Sequence, residues 1–376
     1  MSPFTSTTEE PWHQDLTLDL LLHVVSKSIC HPFVAWMIPL CLRAQATPYT
    51  APSFVYTTAY ASFLTLLYFL SILNQRIAYG IPREVDLTDE VIVITGGASG
   101  LGLCIAEIYG MRGASVAVMD VKEVDERTRA EGVDFYTCNV GDREQVDRTW
   151  AQIVDDLGTP TVLINNAAVL HGKRFLALTP EEVEASFRVN TLSHYHLTKQ
   201  FLPPLINRPE GGHLITISSV LAHLGASHLS AYTATKAALL AFHSSLTAEL
   251  ALPPPQGNPA IKTILVTPGQ LSTELFNGVE SSALSRFMGP TVEVKDLAMK
   301  IVGKIDKGEG GVITEPAYTG WIGVLDLLPT GLQKVARGVS GVDVAMDGWV
   351  MKRRGQTQNN GKKEDQARKP SRASLA

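Results

Sequence analysis

The run Val91-Ile92-Val93-Ile94, followed at once by Thr95-Gly96-Gly97-Ala98-Ser99-Gly100-Leu101-Gly102, constrains this chain more than any other stretch. Four β-branched residues without polar alternation read as a strand buried on both faces, the kind found in parallel sheets. The glycines let backbone N–H groups approach an anion at the start of the next helix, here the apolar segment Leu103–Tyr109. Their spacing is GxxxGxG, not GxGxxG, so the turn points to a nucleotide without matching the commonest dinucleotide fingerprint.

The same texture continues. Ser115–Met119 is a second apolar strand and ends in Asp120. An acid there, about twenty residues past the glycines, suits a ribose 2′-hydroxyl and repels a 2′-phosphate. Lys122 is the nearby cation, so the pattern prefers NAD and leaves NADP possible. Phe135–Cys138, Thr161–Ile164, Leu214–Ile217, Ile261–Val266 and Gly311–Thr314 read as further strands. Between them lie helices at Glu144–Leu157, over most of Leu176–Phe201 after the N-cap signal Thr179-Pro180-Glu181-Glu182, and through Leu250. Alternating buried strands and helices imply an α/β fold: a doubly wound parallel sheet of about seven strands, spanning 84–315, with ligands at the strand C-termini.

Residues 1–83 differ. From Ala44 to Gln75 no charged residue occurs, and Ser53–Leu73 is rich in Phe, Tyr, Leu and Val. Twenty-one residues at about 1.5 Å each cover roughly 30 Å, the hydrocarbon thickness of a bilayer. This region reads as a membrane anchor with its main span at 53–73. Ser28–Leu42 is uncharged but short and interrupted by Pro32 and Pro39, which suits a re-entrant element or one leg of a hairpin. Glu9, Glu10 and Asp15, with no basic n-region, fit a cleaved signal peptide badly. Arg76 and Arg83 after the span place the following domain on the cytoplasmic side. A net charge of −5 gives no basic field for nucleic acid. The four cysteines are scattered without metal or disulfide spacing, and no histidine pair has ligand spacing, so no metal is assigned.

Tyr232 and Lys236, in Ser230-Ala231-Tyr232-Thr233-Ala234-Thr235-Lys236, share one helix face. An ammonium held near a phenol lowers its pKa from about 10, which prepares it for acid–base work. Thirteen residues upstream, an apolar run ends in Ser218-Ser219. A serine hydroxyl at a strand end suits a carbonyl or alcohol oxygen.

In order, Thr95–Gly102, Asp120, Asn165-Asn166-Ala167, Asn190, Ser219, Tyr232-x-x-x-Lys236 and Pro268-Gly269 resemble the short-chain dehydrogenase/reductase family over about residues 86–315. The resemblance implies a Rossmann fold and a nicotinamide cofactor. Tyr232 is then the acid–base and Lys236 its pKa-lowering partner, Ser219 polarises the substrate oxygen, and Asn190 holds a water that feeds protons to Lys236. Thr95, Gly96, Ser99, Gly100, Leu101, Gly102, Asp120, Asn139, Val140, Asn166, Ala167, Pro268, Gly269 and Thr273 join Tyr232 and Lys236 around the cofactor, with Asn165 supporting the sheet behind it. Asn139 stands where the family has Asp, and Ala168 where it has Gly. A homodimer through two long helices is implied as well.

The membrane segment and Ile261–Val266 look like the microsomal and lipid-droplet branch, which includes retinol and 17β-hydroxysteroid dehydrogenases. That implies a membrane-anchored oxidoreductase of lipophilic alcohols or ketones at the endoplasmic reticulum or lipid droplets. Two rivals stay open: a ketoreductase of a dedicated biosynthetic pathway, and an idle nucleotide-binding scaffold at a membrane. Residues 316–351 are apolar and read as a lid over a greasy pocket, a membrane-contact arm or ordinary packing. Residues 352–376 carry eight Lys or Arg against two acids and read as a disordered tail.

Overall fold

The computed structural model describes residues 16–124, 131–276, 278–279 and 283–352; the basic tail beyond Lys352 lies outside them. Seven parallel strands form one sheet in the order β3-β2-β1-β4-β5-β6-β7. They are β1 (Val91–Thr95), β2 (Ser115–Asp120), β3 (Val133–Thr137), β4 (Val162–Asn165), β5 (Gly212–Ile217), β6 (Ile261–Pro268) and β7 (Gly311–Glu315). Every residue of β1, β4 and β5 is buried, as the unbroken apolar runs require. On one face, α4 (Gly100–Met111) and α10 (Val294–Asp306) pack Ile105, Tyr109 and Ile301 against β1, β5 and β6. On the other, α5 (Arg143–Leu157) and α7 (Ser193–Phe201) bring Val146, Ile153, Leu197 and Phe201 against the opposite side chains of the strands. The order reverses between β1 and β4, which opens a crevice at their C-terminal ends.

Two elements differ from the sequence expectation. The third strand begins at Val133, and the helix expected over 176–201 is broken. A 3-10 turn at Phe175–Ala177 precedes α6 (Pro180–Phe187), which Thr179 and Glu182 close with a capping box. Arg188–Leu192 then forms a π turn before α7. Asn190 lies inside it, its carboxamide bonded both ways to the Val169 backbone at 2.8 and 2.9 Å and donating to Thr235 Oγ1 at 3.2 Å. Those tertiary bonds favour a local widening that no periodicity in the sequence displays.

The N-terminal region is three helices: α1 (Leu18–Lys27), α2 (Pro32–Ala44) and α3 (Pro52–Tyr79). The last is 28 residues long and apolar enough to cross a membrane. It is joined to the sheet by charge. Arg83 Nη1 pairs with Glu90 at 2.8 Å, with both side chains 3% exposed, and Arg83 Nε donates to His213 Nδ1 at 2.8 Å. Burial, then the Arg83 charge, hold the His213 pKa well below its usual value, which keeps the ring neutral and able to accept. Thr161 Oγ1 donates to the other Glu90 oxygen. Removing one partner of a buried pair strands the other charge. Glu90→Ala is therefore expected to cost about 3 kcal/mol, read as a lowered denaturant midpoint in detergent; an unchanged midpoint would refute this role.

Candidate active site

The crevice lies where the ends of β1 and β4 approach closely and are tied together by the Thr95 and Asn166 side chains. Thr95 Oγ1 accepts from the N–H groups of Asn166 and Ala167, each at 3.0 Å. Asn166 Nδ2 donates back to Thr95 O and Gly96 O, each at 3.0 Å. Gly96 has φ +65°, and a methyl there would stand 2.8 Å from Ala167 Cα. At Gly102 a methyl would stand 2.5 Å from Gly96 O. Both positions need glycine. Ser99 is the N-cap of α4 but offers no side-chain bond. The first-turn N–H groups of Gly100, Leu101 and Gly102 therefore have no partner inside the helix, the arrangement that receives a phosphate.

Around this cradle lie the other expected cofactor residues. Asp120 ends β2, and its carboxylate accepts from Ala98 N at 2.9 Å and Lys122 N at 3.0 Å, beside the glycine turn. Asn139, past β3, is exposed, its Oδ1 accepting from Gly141 N at 3.0 Å, and Val140 is buried behind it. Thr273 approaches the loop from the β6 side, 3.3 Å from where a Gly100 Cβ would sit. Gly269 follows Pro268 at the end of β6, its N–H bonded to Glu315 O at 2.6 Å. Asn165 is buried with neither amide atom hydrogen-bonded. An anion cradle after β1 and a carboxylate at the end of neighbouring β2 fit a dinucleotide, with the unpaired Asn165 amide buried on β4 at the other side of β1.

α8 (Ser230–Leu250) carries Tyr232 and Lys236 into the same region. Lys236 Nζ donates to Ile217 O at 2.8 Å and lies 5.7 Å from the Tyr232 ring centroid. Ser218 Oγ donates to Lys236 O at 3.0 Å, which engages that hydroxyl in holding α8 to β5. Ser219 instead lines a cavity, its Oγ accepting from Leu221 N at 3.2 Å, and lies near enough to Tyr232 to act on its phenol. Burial pushes the Tyr232 phenol up to about 12, the nearby Ser219 hydroxyl acting the other way, and burial pulls Lys236 down to about 7. The spacing predicts lysine acting on tyrosine. In the folded protein desolvation of each group outweighs that effect, because the ammonium sits by the ring and on a strand carbonyl.

His194 is a member of this neighbourhood that the sequence does not reveal. It lies four residues past Asn190, fully buried, with Nδ1 unpartnered, and burial followed by the Lys236 charge holds its pKa well below the usual value. Spacing tests for metal pairs pass over it, and only the packing of α7 on α8 brings it near.

The cavity has a volume of about 550 Å³. Ser219 contributes a hydroxyl to a wall that is mainly apolar, including Leu229, Phe276, Ile322 and Met346. Phe276 meets the Tyr232 ring edge-on at 6.5 Å. Much of the wall comes from the C-terminal segment: a 3-10 stretch at Ile322–Leu327, α11 (Thr330–Ser340) and a helical end at 345–352. Trp349, whose Nε1 donates to Leu275 O at 3.0 Å, packs with Met346 against Tyr232. Tyr318 also lines the cavity, with its hydroxyl beside Gly269 and its pKa pushed up to about 12 by burial. Nothing in the sequence marks Tyr318, because a strand-to-arm turn brings it there.

Residues 90–283 match the short chain dehydrogenase family, just over half of the chain. The chain belongs to that family. Among its relatives, the short-chain dehydrogenase/reductase family 16C member 6 of Bos taurus is 37% identical over 222 residues, covering 57% of this chain and 68% of the relative. Epidermal retinol dehydrogenase 2 of Mus musculus is 36% identical over 219 residues, covering 56% and 69%. A short-chain dehydrogenase structure from Streptomyces avermitilis superposes with a TM-score of 0.53 at 27% identity, over 66% of this chain and 98% of that one. The protein is thus a short-chain dehydrogenase/reductase whose α1–α3 region and C-terminal arm extend beyond the matched domain.

The depressed Lys236 pKa has a consequence for stability. Between about 7 and the unfolded value of about 10.4 the unfolded chain binds more protons, so stability rises with pH across that window and is lost as pH falls toward 7. Lys236→Met is expected to stabilise the cofactor-free protein by about 2–4 kcal/mol at pH 7.5. It should also flatten the rise in unfolding midpoint between pH 7.5 and 9.5, and a variant that keeps the wild-type slope would refute the assignment.

Proposed function

We propose that this short-chain dehydrogenase is a membrane-anchored enzyme interconverting a lipophilic alcohol and its ketone or aldehyde, of retinoid, steroid or long-chain type, with a nicotinamide dinucleotide. The observation that carries this reading is the cavity. A largely apolar chamber of about 550 Å³ has Ser219, beside Tyr232, in its wall. It suits an oily molecule with one reacting oxygen. The retinol dehydrogenase relative supports the substrate class.

When bound, the dinucleotide supplies or accepts the hydride. In this reading Ser219 donates to the substrate oxygen and fixes the reacting carbon. Tyr232, held protonated up to about 12, gives its proton to a carbonyl oxygen throughout the physiological range. Lys236 and Asn190 stand behind it to restore that proton. Met346 and Trp349 pack against Tyr232 and keep water from that side of the ring, which strengthens polar contacts beside it. Residues 84–315 are the catalytic body and 316–351 its cover. α3 anchors the protein in the endoplasmic reticulum or a lipid droplet with the catalytic body in the cytoplasm, and two copies pair through the long helices.

Tyr232→Phe should lower turnover at least 100-fold, within the range for a lost acid–base group, while NADH binding followed by fluorescence changes less than about threefold. Wild-type turnover by that variant, across a panel of retinoids, steroids and long-chain ketones, would sink the reading. Asp120 favours NAD because its carboxylate stands at the β2 end, where a 2′-phosphate would meet a negative charge. Asp120→Ser is expected to raise kcat/KM with NADPH relative to NADH about tenfold or more, and an unmoved ratio would remove Asp120 from cofactor selection.

A further inference from the structure

The apolar N-terminal region is tied to the catalytic body at both of its ends. On the outgoing side, the Tyr79 carbonyl at the end of α3 accepts from Lys262 Nζ at 3.1 Å, and Arg83 N donates to Gly308 O at 3.0 Å beside the buried Arg83–Glu90 pair. On the incoming side, Asp19 in the first turn of α1 accepts from Ala317 N through both carboxylate oxygens, at 3.0 and 3.2 Å. Bonds of this kind, with one partner ionised, are among the stronger ones. Asp19 is also close enough to raise the Tyr318 pKa after burial has done so.

Between those two attachments the chain goes out and comes back. α1 and α2 meet at a bend of 47°, and α2 then packs on α3. Ala35 and Ala61 are buried there, Trp36 Nε1 donates to Thr65 Oγ1 at 2.9 Å, and Tyr60 donates to Ile29 O at 3.0 Å. Residues 45–51 make the turn. A connection that short joins packed helices running in opposite directions.

Charge follows the same pattern. Between Lys27 and Arg76 the sequence holds one Asp, Glu, Lys or Arg, namely Arg43. Its guanidinium is folded onto the turn, Nη1 donating to Thr47 O at 2.6 Å and the group lying 3.8 Å over the Tyr49 ring. Lys27 and Arg76 stand at the two bases of the apolar stretch. Cations beside membrane segments favour the cytoplasmic face, and here both can be there together. The outward side chains, among them Phe33, Leu40, Phe63, Phe69 and Leu73, are all about half exposed or more, as a surface wetted by hydrocarbon requires.

We propose that residues 28–78 form a hairpin that enters a lipid layer and returns to the side it came from, so that the N terminus and the catalytic body occupy one compartment. This rests on the membrane reading above but departs from a single span at 53–73. A single span would carry Asp19 across roughly 30 Å of hydrocarbon, away from Ala317. The partner is the acyl-chain interior of a lipid layer entered from one face.

The test uses the full chain with an N-terminal extension bearing an Asn-Ser-Thr glycan acceptor and an epitope, and a second epitope at the C terminus, inserted into sealed endoplasmic-reticulum microsomes. The expected result is resistance to alkaline carbonate extraction, no glycan, and loss of both epitopes to added protease without detergent. A glycosylated, protease-protected N terminus on a carbonate-resistant chain would overturn the hairpin and leave the anchoring intact. Release of the chain by carbonate would overturn both.

Discussion

At the C-terminal edge of the sheet, the glycine turn after β1 passes the backbone after β4 with no room for a methyl group. That close approach is the constraint on which the rest depends. With Gly96 against Ala167 and Gly102 against Gly96 O, α4 starts directly over the crevice, its first-turn N–H groups directed at a phosphate. Thr95 and Asn166 lock the two strand ends by four hydrogen bonds, so the crevice keeps its width without help from a ligand. Asp120, at the end of β2, and Thr273, in the loop after β6, both meet this turn.

Beside that rigid crevice stands a pair of groups held against their preferences. Burial raises Tyr232 and depresses Lys236, so both favour their neutral forms. Burying a lysine without a counter-charge is a cost in stability, offset by the bond to Ile217 O and by the packing of α8 on the sheet. Only the Lys236 shift moves a group toward neutral pH; the Tyr232 shift moves the phenol further from it, so burial alone does not prepare that hydroxyl for proton exchange. The apolar arm over Tyr232 deepens the burial and supplies most of the cavity's character.

Several residues show where sequence reasoning works and where it stops. The strands were legible because a parallel sheet buries both faces and leaves unbroken β-branched runs. The family resemblance implies Ser219, not Ser218, and the two differ in the fold: Ser218 is bonded to the Lys236 carbonyl, and Ser219 lines the cavity. The break at Arg188–Leu192 was not legible, because it is set by Asn190 reaching Val169 and Thr235. His194 and Tyr318 were missed for the same cause, since their neighbours are distant in sequence and no short motif marks them. Asp19 met Ala317 across 298 residues, a contact that neither segment announces.

By itself, the sequence determined the doubly wound sheet, the glycine cradle, the shared helix face of Tyr232 and Lys236 and an apolar segment long enough for a membrane. These are local patterns, written in periodicity, in residues without a Cβ and in fixed spacings along one helix. Only the tertiary structure decided the direction of the pKa shifts, the shape and lining of the cavity, and the attachment of both ends of the apolar region to one body. Each of those depends on which distant side chains share a low-dielectric space, and burial is a property of the packed whole.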